Sequence, residues 1–177
     1  MRRAAYWGWE SVEERSGDGA VSSVQRARFA RPVVSFSEEG ARQLSSTYWC
    51  EVERSTQRLV RAPDAAGGIS LRAFGRGPAL LCFGPAQITV TPTVVGCGHA
   101  IAGGLLARRS SGEIRFEQRA QDDGVLVVSA ISGFHPTLAA RPGMPVWTGE
   151  LYKHVQSRLH VFVGRRYFDR LMRERGA

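Results

Sequence analysis

The apolar residues near the end of the chain recur with helical spacing. Between Thr148 and Arg175, bulky apolar side chains fall on about one third of a helix circumference at about 100° per residue. These residues are Leu151, Tyr152, Val155, Leu159, Phe162 and Val163. The Thr148 hydroxyl can accept a hydrogen bond from a free N–H group of the first turn. The pattern predicts one long amphipathic helix over 148–175.

The apolar face of this helix changes position beyond Gly164. The stripe continues into Arg166 and Arg170, whereas Phe168 and Met172 gather on another face. We therefore expect the last two turns to leave the core and expose a basic surface. An alternative is that Arg166 or Arg170 points into the mouth of a cavity and holds an anionic ligand.

Most of the preceding chain alternates between apolar and polar residues, which is typical of strands with one buried face. Glycine- and proline-rich turns separate these segments. The clearest of them are 47–58, 69–74, 88–95, 113–120 and 125–132. The last two are joined by Asp123-Gly124, a strong hairpin signal.

The N-terminal part has the least regular pattern. An aromatic cluster at 6–9 is interpreted as an anchor that packs on the core, and 21–29 and 32–36 as short strands. Ser37, followed by two acidic residues, predicts the start of a short helix over 37–45.

These elements predict an α+β fold. Turns spaced by about 8–12 residues favour meander connections over βαβ units. We expect a mostly antiparallel, curved sheet of six to seven strands that grips the long C-terminal helix. The length of 177 residues suits one domain with a substantial core. We therefore predict a single domain over 1–177, with 1–30 as a poorly defined N-terminal segment.

The charge does not point to nucleic acid. The net charge is +8, but Lys153 is the only lysine and the arginines are scattered along the chain. A nucleic-acid-binding surface usually needs a clustered basic face. We interpret the excess of arginine as a general bias in amino-acid composition and expect no nucleic-acid partner.

Three cysteines without a C-x-x-C motif are typical of a reducing compartment. The N-terminal residues lack the apolar region of a signal peptide. Glycines and prolines interrupt the most apolar stretch, 77–107, so that no segment of about 20 apolar residues could span a membrane. We predict a cytoplasmic protein and leave its oligomeric state open.

Candidate chemistry is sparse. His99 lies inside the charge-free stretch 77–107, and His135 lies at a strand end, where it could reach a cavity mouth. Cys97 and His99 could share one face of a strand, but no orienting Asn or Asp is nearby. The carboxylates of Glu51 and Glu53 could likewise pair, yet their face has a solvated pattern. Histidine spacing does not suit a metal, and no glycine motif suits a dinucleotide, so we expect no cofactor.

The segment 101–117, the hairpin up to Pro136 and the helix ending in 163–168 resemble the START-like, or polyketide-cyclase-like, helix-grip superfamily. There, a strongly curved antiparallel sheet grips a long C-terminal helix, with a hydrophobic cavity between them. That superfamily usually has a pair of helices after the first strand, and in this sequence only the predicted helix over 37–45 corresponds to them. A lipocalin-like barrel with an attached helix is the competing fold.

The resemblance implies binding of an apolar or amphipathic small molecule. The candidate ligand-binding residues are His99, His135, Tyr152, Val155, Leu159, Phe162 and Arg166. The apolar members could equally fill an ordinary core, which would favour a structural or protein-interaction role. An enzyme on the same fold, such as a cyclase, dehydratase or isomerase, could use His99 or His135 with Tyr152. Because no catalytic motif is present, binding is the preferred hypothesis.

Overall fold

The computed structural model describes residues 6–62, 64–65, 67–137 and 161–174. The described chain forms ten strands and two helices, which confirms the predicted α+β class. The strands are β1 (Tyr6–Arg15), β2 (Val21–Phe29), β3 (Val60–Arg61), β4 (Asp64–Ala65), β5 (Gly68–Ala73), β6 (Ala79–Phe83), β7 (Gln87–Val90), β8 (Val94–Gly103), β9 (Glu113–Gln121) and β10 (Gly124–Phe134). The helices are α1 (Glu38–Ser55) and α2, described over residues 161–174.

The strands form one open, curved sheet in the order β1-β2-β10-β9-β8-β6-β5-β3, with β4 beside β5 and β7 beside β8. Every described pairing is antiparallel, as expected. The count of ten exceeds the predicted six to seven, partly because β1 was not expected and β3 and β4 have only two residues each. The strand early in the chain, β2, pairs with the last strand, β10.

The β9–β10 hairpin confirms the clearest sequence prediction. Ile114 and Phe116 point into the core, while Arg115 and Arg119 lie on the exposed face. Gly124 has φ 142°. A Cβ atom there would lie 2.1 Å from the Phe29 carbonyl oxygen, so the turn needs glycine for space as well as for conformation.

The predicted break between a helix over 37–45 and a strand over 47–58 is wrong. α1 is a continuous helix of 18 residues, although Ser37 does cap it by accepting a hydrogen bond from Gly40 N at 3.2 Å. The run of Thr47, Tyr48 and Trp49 favours a strand by propensity alone. Tyr48, however, is buried at helical spacing with Ala41 and Leu44. Tertiary packing on this apolar face overrides the local preference.

The predicted strand over 32–36 is also absent from the structure. Val33 and Val34 are buried, but a side chain satisfies their backbone groups. Gln118 Oε1 accepts hydrogen bonds from Val33 N at 2.7 Å and Val34 N at 3.2 Å. Gln118 Nε2 donates to the Val34 carbonyl oxygen at 2.9 Å. The side-chain amide of Gln118 in β9 thus satisfies backbone groups of this connection that would otherwise need the backbone of a neighbouring strand.

The described part of α2 faces the core with only part of the predicted stripe, because Val163 is buried as expected but Phe162 is not. The predicted start at Thr148 lies outside the described residues. Phe162 is 47% exposed, whereas Tyr167 and Phe168 are completely buried, so the expected burial of Phe162 and the expected departure of the last turns from the core are both wrong. Gly164 lies close to the sheet, because a Cβ atom there would overlap Gln25 Oε1 of β2.

Aromatic rings fill the space between the sheet, α1 and the described part of α2. The Tyr48 ring lies 4.7 Å from that of Phe116 and 5.6 Å from that of Tyr167, measured between centroids. Tyr167 in turn lies 5.3 Å from Phe168. Such tilted and edge-to-face contacts add to the stabilisation by apolar burial. The described turns of α2 therefore close the core here.

Candidate functional site

A cleft lies between α1 and the sheet, on the side of α1 opposite to its contacts with α2. Its volume is about 320 Å³, and it opens to solvent. We call it the α1 cleft. Its principal lining residues are Arg42, Ser45 and Trp49 of α1, Ile69 of β5, and Cys97 and His99 of β8. Pro85 and Ala86, which connect β6 to β7, complete an apolar wall.

The helical form of α1 brings its side chains together in the cleft. Arg42, Ser45, Ser46 and Trp49 all line it, and their spacing of three, four and seven residues places them on one face of a helix. A strand beginning at Thr47 would have placed Trp49 on a separate element. The continuous helix α1 thus assembles this half of the site.

His99 is 4% exposed and is held by hydrogen bonds at both ring nitrogens. Nδ1 lies 3.0 Å from the Gly84 carbonyl oxygen, which can only accept, so Nδ1 carries a proton. In the neutral ring, Nε2 is then an acceptor, and the Ser45 hydroxyl at 2.9 Å donates to it. Trp49 Nε1 donates to Ser45 Oγ at 2.9 Å. The result is a directed chain from Trp49 through Ser45 and His99 to Gly84.

Cys97 contacts the same nitrogen of His99 as Ser45 does. Its Sγ lies 3.5 Å from His99 Nε2. Burial raises the pKa of the Cys97 thiol, while a hydrogen bond with Ser45 and the positive charge of Arg42 act in the opposite direction. Because burial dominates, Cys97 is a protonated thiol at neutral pH and not a thiolate.

Arg42 supplies positive charge at the opening of the cleft. Its side chain is 63% exposed, and its partner Glu38 lies 3.8 Å away and is 75% exposed. An exposed ion pair of this kind contributes about 1 kcal/mol or less, so an anionic ligand can compete for the guanidinium. Arg42 and Cys97 line the same cleft, and the positive charge of Arg42 acts to lower the pKa of the thiol.

His135 lies elsewhere and joins the end of β10 to the neighbouring β1–β2 turn. Its Nε2 is 3.0 Å from Asp18 Oδ2, in the β1–β2 turn, and its Nδ1 is 3.0 Å from Ser111 Oγ. These residue types could form a catalytic triad, but the Asp18 carboxylate also accepts from the Ser16 hydroxyl and from Ala20 N. Asp18 is thus a turn residue, and the cluster fastens the β1–β2 turn to the end of β10.

We expect the contacts of Asp18 in the β1–β2 turn to make the stability of the protein depend on pH. The Ser16 hydroxyl, the Ala20 N–H group and His135 together hold the pKa of Asp18 well below its usual range. A depressed folded-state pKa stabilises the fold above the unfolded-state pKa of about 4, and this contribution is lost as the pH falls below it. Asp18→Asn should therefore lose less stability than the unmodified protein between pH 5 and pH 2. Urea unfolding across this range measures the difference.

Asp122→Asn, in the exposed β9–β10 turn, is the control and should follow the unmodified protein. Superimposable pH curves for Asp18→Asn and the unmodified protein would contradict the assigned role of Asp18.

Arg166 and Arg170 do not border the α1 cleft. Arg170 Nη1 lies 3.0 Å from Glu51 Oε1, and Arg166 Nε lies 3.4 Å from Glu51 Oε2. The Glu51 side chain is 1% exposed, so the expectation that it lies on a solvated face is wrong. These ion pairs join α2 to α1. Arg166 also lies over the Phe162 ring, 5.4 Å from its centroid.

Of the predicted ligand-binding residues, the structure thus places His99 in the α1 cleft, and His135, Phe162 and Arg166 outside it. Tyr152, Val155 and Leu159 lie outside the described residues, and their role in lining a cavity stays a prediction. Sequence reasoning missed Arg42, Ser45 and Trp49. Their common spacing on one helical face was the signal that could have identified them.

The described residues include no group of three or more histidine, cysteine, aspartate or glutamate side chains that could hold a metal ion. Over the same residues, none of the helices has the length and apolar character needed to cross a membrane.

Several solved structures align with most of this chain at low identity. CalU16 from Micromonospora echinospora is 14% identical, with 98% of this chain and 99% of that chain covered and a TM-score of 0.32. Ms6760 from Mycobacterium smegmatis is 12% identical, with coverages of 91% and 93% and a TM-score of 0.35. Ara h 8.0201 is 13% identical, with coverages of 90% and 98% and a TM-score of 0.33.

No family model and no curated protein matches the sequence. At these TM-scores the structural likenesses support no statement about function, so the site is interpreted from its own geometry.

Proposed function

We propose that the protein binds a small amphipathic molecule in the α1 cleft. The observation that carries this proposal is that one cleft joins an apolar wall to a polar, cationic end. Trp49 and Ile69 would contact the apolar part of the ligand. Arg42 would face its anionic group, close to Ser45 and His99. Ligand sites generally combine an apolar lining with a few convergent polar groups in this way.

The size of the cleft favours a small ligand. Its volume of about 320 Å³ is near the lower limit of typical ligand pockets, which span about 300–1,000 Å³. A medium-chain carboxylate fits this description better than a sterol or a large polyketide does. The ligand class is narrower than the apolar or amphipathic molecules expected from the sequence, because Arg42 adds a preference for negative charge.

This position differs from the cavity that the helix-grip resemblance implies. We retain that resemblance, a single domain over 1–177 and a cytoplasmic location as parts of the proposal. The lining of that cavity by Tyr152, Val155 and Leu159 stays a prediction. The α1 cleft needs none of these residues.

Titration with decanoate and with 1-decanol tests the proposal. We expect saturable binding of both by isothermal calorimetry, with decanoate the tighter ligand. Arg42→Gln should weaken decanoate about fivefold, equivalent to about 1 kcal/mol for a partly screened ion pair, and leave 1-decanol unchanged. Arg31→Gln is the control, because Arg31 is an exposed arginine outside the cleft and its loss should change neither affinity.

Absence of saturable binding by either compound would reject a small-molecule site of this kind. It would favour the alternative of a filled core that serves protein interaction. If Arg42→Gln and Arg31→Gln weakened decanoate binding equally, the loss of affinity would be an effect of net charge. This result would reject the assigned position of the ligand.

A further inference from the structure

We propose that Ser45 is a nucleophile activated by His99, and that the protein hydrolyses small carboxylic esters bound in the α1 cleft. This inference rests on the proposed function, since the ester would occupy the same cleft as the amphipathic ligand. It adds a reaction to that binding and names the substrate class.

The geometry of Ser45 and His99 is that of a nucleophile and its base. A serine hydroxyl needs an adjacent acceptor to take its proton, and the acceptor needs a third group to fix its orientation. Ser45 Oγ lies 2.9 Å from His99 Nε2, and the Gly84 carbonyl oxygen, 3.0 Å from Nδ1, provides that third group. Both side chains line the cleft, so a bound ester could reach them.

Trp49 completes the arrangement. Its Nε1 donates to Ser45 Oγ and occupies one acceptor position of the hydroxyl, which leaves the serine proton free to be donated to His99 Nε2. An N–H group held at 2.9 Å also stabilises negative charge that develops on Oγ as the proton leaves. The buried Trp49 side chain is held in place by packing against Phe83, with 4.9 Å between ring centroids.

The reaction balances with water as the only co-reactant. Ser45 Oγ bonds to the ester carbonyl carbon as its proton passes to His99 Nε2. The bond from this carbon to the leaving oxygen then breaks, and His99 returns the proton to release an alcohol. Water next attacks the acyl-serine, and His99 takes and returns its proton. A carboxylic acid leaves and Ser45 is restored.

Arg42 is suited to stabilise the charge that forms. It precedes Ser45 by three residues on the same face of α1, and both line the cleft. A guanidinium there favours the oxyanion of the tetrahedral intermediate and the carboxylate product. Cys97 is the competing nucleophile, but its Sγ lies farther from Nε2, at 3.5 Å, and burial keeps it protonated.

The protein contains its own control for a serine–histidine contact. Ser111 Oγ lies 3.0 Å from His135 Nδ1, close to the 2.9 Å between Ser45 and His99, but this pair belongs to the cluster at the β1–β2 turn and not to the α1 cleft. A contact that serves structure alone should react with neither esters nor serine-directed reagents. Ser111→Ala and Ser45→Ala therefore form a matched pair.

The test combines covalent labelling with hydrolysis. The unmodified protein is treated with an alkyl fluorophosphonate, and the modified peptide is identified by mass spectrometry. We expect one label, on Ser45. p-Nitrophenyl butyrate should be hydrolysed at a saturable rate that falls to that of buffer in Ser45→Ala and stays unchanged in Ser111→Ala. Circular dichroism and decanoate binding verify that each variant is folded.

Labelling of Ser111 or another residue, or none at all, overturns the inference. If decanoate still binds to the unlabelled protein, the proposed binding function stands and only the reaction is rejected. If decanoate does not bind either, both proposals fall. Because the labelled site is read from the unmodified protein, the result does not depend on the folding of Ser45→Ala.

Discussion

Phe168→Ala is expected to lower the free energy of unfolding by about 3–5 kcal/mol, the usual cost of removing a buried phenylalanine ring. Phe168 is completely buried and lies among the rings of Tyr6, Phe29 and Tyr167. Phe162, on the same helix, is 47% exposed, so Phe162→Ala should cost only about 1 kcal/mol or less. Urea unfolding followed by circular dichroism measures both values.

This pair distinguishes two registers of one helix. The apolar stripe predicted from the sequence buries Phe162, whereas the structure buries Phe168. The two substitutions remove the same group, so differences in side-chain type do not enter the comparison. A larger loss for Phe162→Ala than for Phe168→Ala would contradict the described orientation of α2.

Arg170→Met is expected to destabilise the protein by about 3 kcal/mol, because it leaves the carboxylate of Glu51 buried with weaker compensation. The Arg170 side chain is 18% exposed and also pairs with Glu174. Two more distant partners of Glu51, Arg166 and Arg54, keep the cost near the lower end of the range for a broken buried pair. Arg173→Met, on the exposed side of α2, should change stability by about 0.5 kcal/mol or less.

A double-mutant cycle isolates the ion pair from the packing of the arginine stem. Glu51→Leu removes the buried charge, and the Glu51→Leu/Arg170→Met double variant replaces the pair by apolar groups. Such replacements are often neutral, so the double variant should be more stable than Arg170→Met alone. Strictly additive losses would show that Glu51 and Arg170 are energetically independent.

The sequence was most informative where local pattern and tertiary environment agree. The β9–β10 hairpin combines period-two alternation with an Asp-Gly turn, and it forms as predicted. α1 is different, because Tyr48 and Trp49 favour strands by type but pack at helical spacing. The prediction of a strand over 47–58 is wrong because burial of a whole helical face outweighs the small propensity differences of single residues.

The candidate site was predictable only in part. His99 was identifiable as an ionisable residue in a long charge-free stretch. Its partner Ser45 is 54 positions away in the sequence, and the contact exists only after α1 packs on β8. Arg42 has an ordinary environment in the sequence and gains significance from its neighbours in space. The helical spacing of Arg42 and Ser45 indicates that they share one face of α1, but it does not indicate which strand this face packs against.

The pairing of β2 with β10 has a consequence for synthesis on the ribosome. The Phe29 backbone finds its partner, Val125, about one hundred residues later in the chain. At about 5–20 residues per second, the β1–β2 hairpin is complete about 5–20 s before β10 emerges. During that interval one edge of β2 has no native neighbour, and this edge can pair with another nascent chain. We therefore expect shielding of this edge until β10 emerges to favour correct folding during translation.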